Sequence, residues 1–157
     1  MKEKLWLFIV KFLLISIPLF ALWHWKGQVY YQVFLNYFLT YLLIKIAGFH
    51  IRGFPFPVPI FLNLISFVSL MVITRGIKLK PRIIWLVEGL LILIAGHMIL
   101  IEAIYVIQLK YQIDSHAYEK LTEPLFLLSQ TLSFVLWVLF ARKQVAGLFS
   151  RRKMVNK

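Results

Sequence analysis

The chain contains no cysteine. That absence removes several chemistries together. Disulfide staples, thiolate nucleophiles, and zinc or iron–sulfur sites held by Cys all need a sulfur that is not there. Acidic residues are scarce, 6 against 18 lysines and arginines, which leaves a formal net charge of +12. Also missing are a Gly-rich phosphate loop, a His-Glu-x-x-His zinc signature and a Ser-centred nucleophile motif. No internal repeat, low-complexity linker or shift of composition marks a second domain, so residues 1–157 read as one unit.

Apolar surface is what the chain has in abundance. Hydrophobic residues make up 61% and the mean hydropathy is +0.82, whereas a soluble domain sits nearer half apolar. The apolar residues come in long blocks, without an alternating or 3.6-residue period. The expected fold class is therefore an all-α integral membrane protein with a single polytopic domain. The basic residues lie between and after the apolar blocks, where topology signals and anionic-lipid contacts place them, so the charge does not point to nucleic acid.

Four blocks are candidate spans: Leu5–Trp25, Pro57–Thr74, Ile83–Leu109 and Glu123–Ala141. Each is near or above the roughly 20 residues that cross about 30 Å of hydrocarbon. The second is short and follows "PFPVP", which favours an extended approach and a helix starting near Pro59. Pro18 is expected to kink the first span, and Pro124 to sit at the start of the last. The basic N-terminus looks like a signal peptide, but its apolar stretch is too long and no small-x-small cleavage site follows. It reads as a retained anchor.

A fifth stretch, Val29–Ala47, is nearly apolar enough to span, yet it is rich in tyrosine. Its Gln28, Gln32, Asn36 and Thr40 advance only about 40° per step on a helix, forming a polar stripe opposite an aromatic-aliphatic face. Charge is nearly balanced between two topologies. If the stretch lies on the outer surface, Lys2, Lys4, Arg75, Lys78, Lys80, Arg82 and the basic tail 142–157 collect on the cytoplasmic side. Lys26, Lys45, Arg52, Lys110 and Lys120 are then outside, as the positive-inside rule asks. If it spans, the orientation reverses, "HWKG" must make a very short hairpin, and Lys2 and Lys4 are exported. The expectation is four spans plus one outer-surface amphipathic helix over about 29–47, its stripe facing water and both termini cytoplasmic. Trp6, Trp85 and Trp137 fall near inner span ends and Trp23 and Trp25 near an outer one, as an aromatic belt would.

In this topology His50, Arg52, Asn63, His97, Glu102, Asp114 and His116 fall toward the outer face. His97 lies roughly 21 Å up the helix from Ile83 and Glu102 about 28 Å. An ionisable side chain inside the hydrocarbon is expensive, so His97 is a functional candidate whose partner has to be named. The alternative is a neutral histidine hydrogen-bonded to a neighbouring helix. The candidate polar site is Arg52, Asn63, His97, Glu102 and His116, on condition that these residues converge. His97 and Glu102 are about 140° apart round a helix, so no metal site and no cofactor are read here. Asn63, Ser66 and Thr74, and likewise Gln130 and Ser133, read as interhelical hydrogen-bonding groups. The "HIR" loop at His50–Arg52 fits a lipid head group or an extended peptide, or is simply solvated.

Glu88, Ala95 and Glu102 recur every seven residues, as do Gly89, Gly96 and Ala103. The small-residue stripe Gly89, Gly96 and Ala103 is a helix-packing seam along which another helix can approach closely, flanked by the two carboxylates.

From about His24 to Arg142 the layout resembles the exosortase/archaeosortase family of membrane transpeptidase-like proteins. The shared features are an amphipathic stretch, a prolyl approach to a span, a short basic inner loop, a long span, and an outer loop with histidine before a last span ending in Trp. The resemblance implies a catalytic Cys at Leu62 in "IFLNLISF", an Arg near Leu100 in "AGHMILIE", and a His at His116 or His97. A leucine cannot form an acyl-enzyme, so what the resemblance implies is a catalytically inactive relative with a scaffold, substrate-binding or assembly role. The expected function is a non-enzymatic subunit or accessory factor of the inner membrane, binding lipid or a partner's transmembrane helix along the Gly89/Gly96/Ala103 seam. The alternative is an enzyme or proton-coupled transporter using His97, Glu102 and His116.

Overall fold

The computed structural model describes residues 5–45, 61–111 and 115–149, and every regular element among them is helical. In chain order these are α1 (Leu5–Leu22), a π-helical turn (Trp23–Gly27), α2 (Gln28–Lys45), α3 (Asn63–Ile73), α4 (Leu79–Tyr111), α5 (Ser115–Phe140) and α6 (Arg142–Phe149). Three helical runs are long and apolar enough to cross a membrane: Leu5–Tyr41, Leu79–Ile104 and Thr122–Phe140. His50 and Arg52 and the prolines Pro55, Pro57 and Pro59 lie outside the described residues, as does Asp114.

The centre of the bundle is its shortest apolar helix. α3 has 11 residues, a rise of about 16 Å or half the hydrocarbon thickness. It packs against α1, α4 and α5, and of its residues Val72 alone is exposed. A helix apolar all round is a buried helix, and α3 is buried by protein. It begins at Asn63, four residues later than the sequence suggests. Phe61 lies ahead of the first turn, held by a stack on the His97 ring with 3.7 Å between centroids.

After α3 the chain reverses through Thr74, in an extended conformation, and Gly76 at φ +83, a left-handed backbone that glycine adopts without strain. Arg82 steadies the turn, donating to the carbonyls of Thr74 at 2.8 Å and Ile77 at 3.2 Å. The Thr74 hydroxyl donates to Leu70 O at 2.6 Å and accepts the Trp137 indole N–H at 2.8 Å. Trp137 is therefore not a belt residue. It is 2% exposed, in the core, because its one polar atom finds a partner there. Phe8 lies 5.7 Å from it, ring to ring, and Gln144 of α6 reaches Gly76 O at 3.5 Å. The start of α1, the α3–α4 turn, the end of α5 and α6 thus share one end of the bundle.

At "HWKG" the chain does not turn back. Helix continues from Leu5 to Lys45, through Pro18 and then the π-helical turn, where the Gln28 N–H donates to Trp23 O. Leu35 and Leu39 are fully buried and cluster with Phe61 and Ile101, so α2 stays on the bundle and covers the start of α3. The polar stripe does not face away from the protein. Gln28, Gln32, Asn36 and Thr40 are half-buried, while Tyr30, Phe34, Tyr37, Phe38 and Tyr41 are exposed. Gln32, Asn36 and Thr40 each follow a buried or half-buried residue (Tyr31, Leu35, Leu39) by one position, about 100° round, which turns the stripe to the flank of the packed face.

Two more expectations change. α5 does not begin at Pro124 but runs from Ser115 through it. Lys120, Glu123 and Pro124 are exposed there, so the carbonyl left without an N–H lies on an open face. Ser66 and Ser133 do not bridge helices; they donate back to Leu62 O and Gln130 O of their own segments.

The small-residue seam is divided. Gly89 lies under Phe67 of α3, and a Cβ added there would meet the ring at 2.1 Å. Gly96 faces Leu132 of α5 with room for a methyl, at 3.6 Å. Ala103 is exposed. The tightest position of the seam is filled by the chain's own α3.

Candidate functional site

His97 stands where α2, α3, α4 and α5 meet, and it is 1% exposed. It projects from α4. Its Nδ1 lies 2.6 Å from the Tyr31 hydroxyl of α2 and its Nε2 lies 2.9 Å from Asn63 Nδ2 of α3. Phe61 stacks on one face of the ring, and Tyr31 meets it edge-on at 5.9 Å. Both nitrogens and one ring face are occupied.

The hydrogen-bond directions follow from one carbonyl. Asn63 Nδ2 lies 2.9 Å from Ser129 O of α5, and a backbone carbonyl only accepts, so the amide nitrogen is the group on that side. Its second hydrogen then points to His97 Nε2, which accepts. A neutral imidazole with Nε2 as acceptor carries its proton on Nδ1, so the Nδ1–H donates to the Tyr31 oxygen. Ser129 Oγ lies farther off, at 3.4 Å from Asn63 Nδ2. The chain of donors runs Asn63 to His97 to Tyr31, and it ties four helices at one point. Asn63 Oδ1 is buried and has no partner among the described residues.

Depth follows from residue counts. Asn63 lies about 16 Å along α3 from Thr74, and Ser129 about 12 Å along α5 from Trp137. The cluster thus lies well inside the bundle from its Thr74 end.

Of the residues singled out in the sequence, Asn63 and His97 come together. Glu102 is half-buried and is not hydrogen-bonded to them. His116 lies in the first turn of α5, with its side chain outside the described set, and Arg52 lies outside the described residues altogether. Among the described residues no three His, Asp or Glu side chains gather as a metal would need. Sequence reasoning missed Tyr31, Phe61 and Ser129. Tyr31 had a signal: with Leu35 and Leu39 it makes an i, i+4, i+8 row beside the polar stripe. Ser129 had none, because it contributes through its backbone carbonyl.

Comparison with protein-family models, with curated proteins and with solved structures finds no match for this chain.

Proposed function

We propose that this chain is a non-enzymatic integral membrane subunit or accessory factor that binds lipid or a partner's transmembrane helix. In this reading it has four spans, both termini are cytoplasmic, and the membrane is the inner membrane. The observation that carries the reading is the closure of the His97 cluster. A histidine 1% exposed, with both nitrogens bonded and a phenyl ring stacked upon it, holds helices together and presents nothing to a substrate. The resemblance to exosortases fits as an inactive relative: Leu62, at the expected Cys position, stands directly before Asn63 at the start of α3 and makes no capping bond with its side chain. Since Phe67 occupies Gly89, a partner helix would use the outer part of the seam, at Ala103.

Gentle isolation of the tagged chain from its native membrane tests this. The expected result is a stoichiometric membrane partner whose abundance falls in cells lacking the chain, and which the folded His97→Gln variant still binds. Proton-coupled flux in vesicles, abolished by His97→Gln, would instead establish the transporter alternative.

A further inference from the structure

We propose that the crevice where α4 meets the α5–α6 junction binds an anionic glycerophospholipid, with its phosphate on Arg142 and Lys143 and an acyl chain against Leu139, Phe140 and Trp85. This deepens the reading above, on which it rests only for the choice of the cytoplasmic leaflet. The crevice encloses about 330 Å³ and is lined by those five residues and Gln144. Its wall is aromatic: Trp85 and Phe140 stack with planes 6° apart and centroids 6.2 Å apart. Leu139 is 61% exposed and extends that apolar wall along the membrane-facing side.

The cations at its rim are held in place and unspent. Ala141 and Val145 are buried and anchor the backbone on either side of them, and Gln144 ties α6 to the α3–α4 turn. Arg82, by contrast, gives its guanidinium to the carbonyls of Thr74 and Ile77. Arg142 and Lys143 are exposed, and neither donates to a described protein group. Among the described residues no carboxylate lines the crevice. Two free cations above an aromatic-aliphatic slot match an amphiphile: anionic at the head, apolar below. Basic pockets of this kind at the cytoplasmic ends of helices recognise anionic head groups. A soluble phosphate would meet the cations but leave the slot unused, so the occupant is a lipid.

The test uses the full chain in vesicles of phosphatidylcholine with a minor fraction of phosphatidylglycerol, re-extracted in mild detergent, with retained lipid quantified by mass spectrometry. Phosphatidylglycerol should be enriched over its share. Arg142→Gln and Lys143→Gln should each lower the enrichment, by up to about fivefold per cation, and the double variant should abolish it. Leu139→Glu, which leaves both cations in place, should lower it too. Lys78→Gln with Lys80→Gln, exposed cations outside the crevice, should leave it unchanged. Undiminished enrichment in the double variant, equal loss in the Lys78/Lys80 pair, or displacement by millimolar glycerol phosphate would each overturn the site. Because the vesicles carry the lipid in both leaflets, the outcome does not depend on orientation, which thiol labelling in cells decides separately.

Discussion

At the residue scale, a carbonyl decides a protonation state. Ser129 O fixes the Asn63 amide, the amide fixes the His97 tautomer, and the tautomer directs its proton to Tyr31. Nitrogen-15 NMR of the labelled protein in lipid should therefore show His97 protonated at Nδ1 and bare at Nε2; the reverse assignment would undo the derived direction of the chain. Asn63→Leu leaves the buried His97 Nε2 without a donor and should cost about 1–3 kcal/mol of stability. Tyr31→Phe removes a single membrane hydrogen bond and should cost about 0.6–2 kcal/mol. At the other end Thr74→Val strands the Trp137 N–H and should lower the melting temperature, and adding Trp137→Phe should return part of the loss, since the orphaned donor goes with it. That His97 would need a partner was legible from its position in an apolar block. The identity of Tyr31 was not, because the stripe beside it invites the opposite rotation of α2.

At the element scale, a phenyl ring lies over a glycine where α3 meets α4. Gly89→Ala should force Phe67, which is fully buried, out of place at about 1–3 kcal/mol. Gly96→Ala, with its Cβ in ordinary contact, should be tolerated. Combining Gly89→Ala with Phe67→Leu should recover stability in thermal melts, and failure to do so would mean that the ring is not what the methyl meets. The seven-residue spacing announced a close approach on α4 without saying who approaches. Only the fold reveals that α3 takes that place. The ends of α3 and α5 fall within one residue of where their apolar blocks end, while the starts of α3, α4 and α5 do not follow hydropathy. Proline reads as a start signal for both α3 and α5, but Phe61 stacks on His97 ahead of the first turn of α3, and the open face around Pro124 lets α5 continue through it.

At the scale of the whole molecule, the positively charged segments that the positive-inside rule groups together are also grouped by packing. Phe8, Thr74, Trp137 and Gln144 are tied to one another directly or through Gly76. The absence of native cysteine makes the side testable by single substitutions. A cysteine at Lys78 should resist an impermeant thiol reagent in intact cells, and one at Asp114 should react. Labelling at Lys78 alone would reverse the orientation. Hydropathy marks four candidate spans, of which three fall in helical runs long and apolar enough to cross a membrane. It could not foresee that the short one is central, since enclosure is a property of its neighbours.

The central place of α3 also sets an order of biogenesis. Eleven residues give little drive to leave the translocon for lipid alone, and the walls that enclose α3 on two sides, α4 and α5, have not yet left the ribosome when it does. α3 must therefore wait and be lodged late, so the bundle closes around a segment made in the middle of translation. A nascent chain arrested with α3 just clear of the ribosome should leave a site at Ser66 open to a thiol reagent, and the released full chain should protect it.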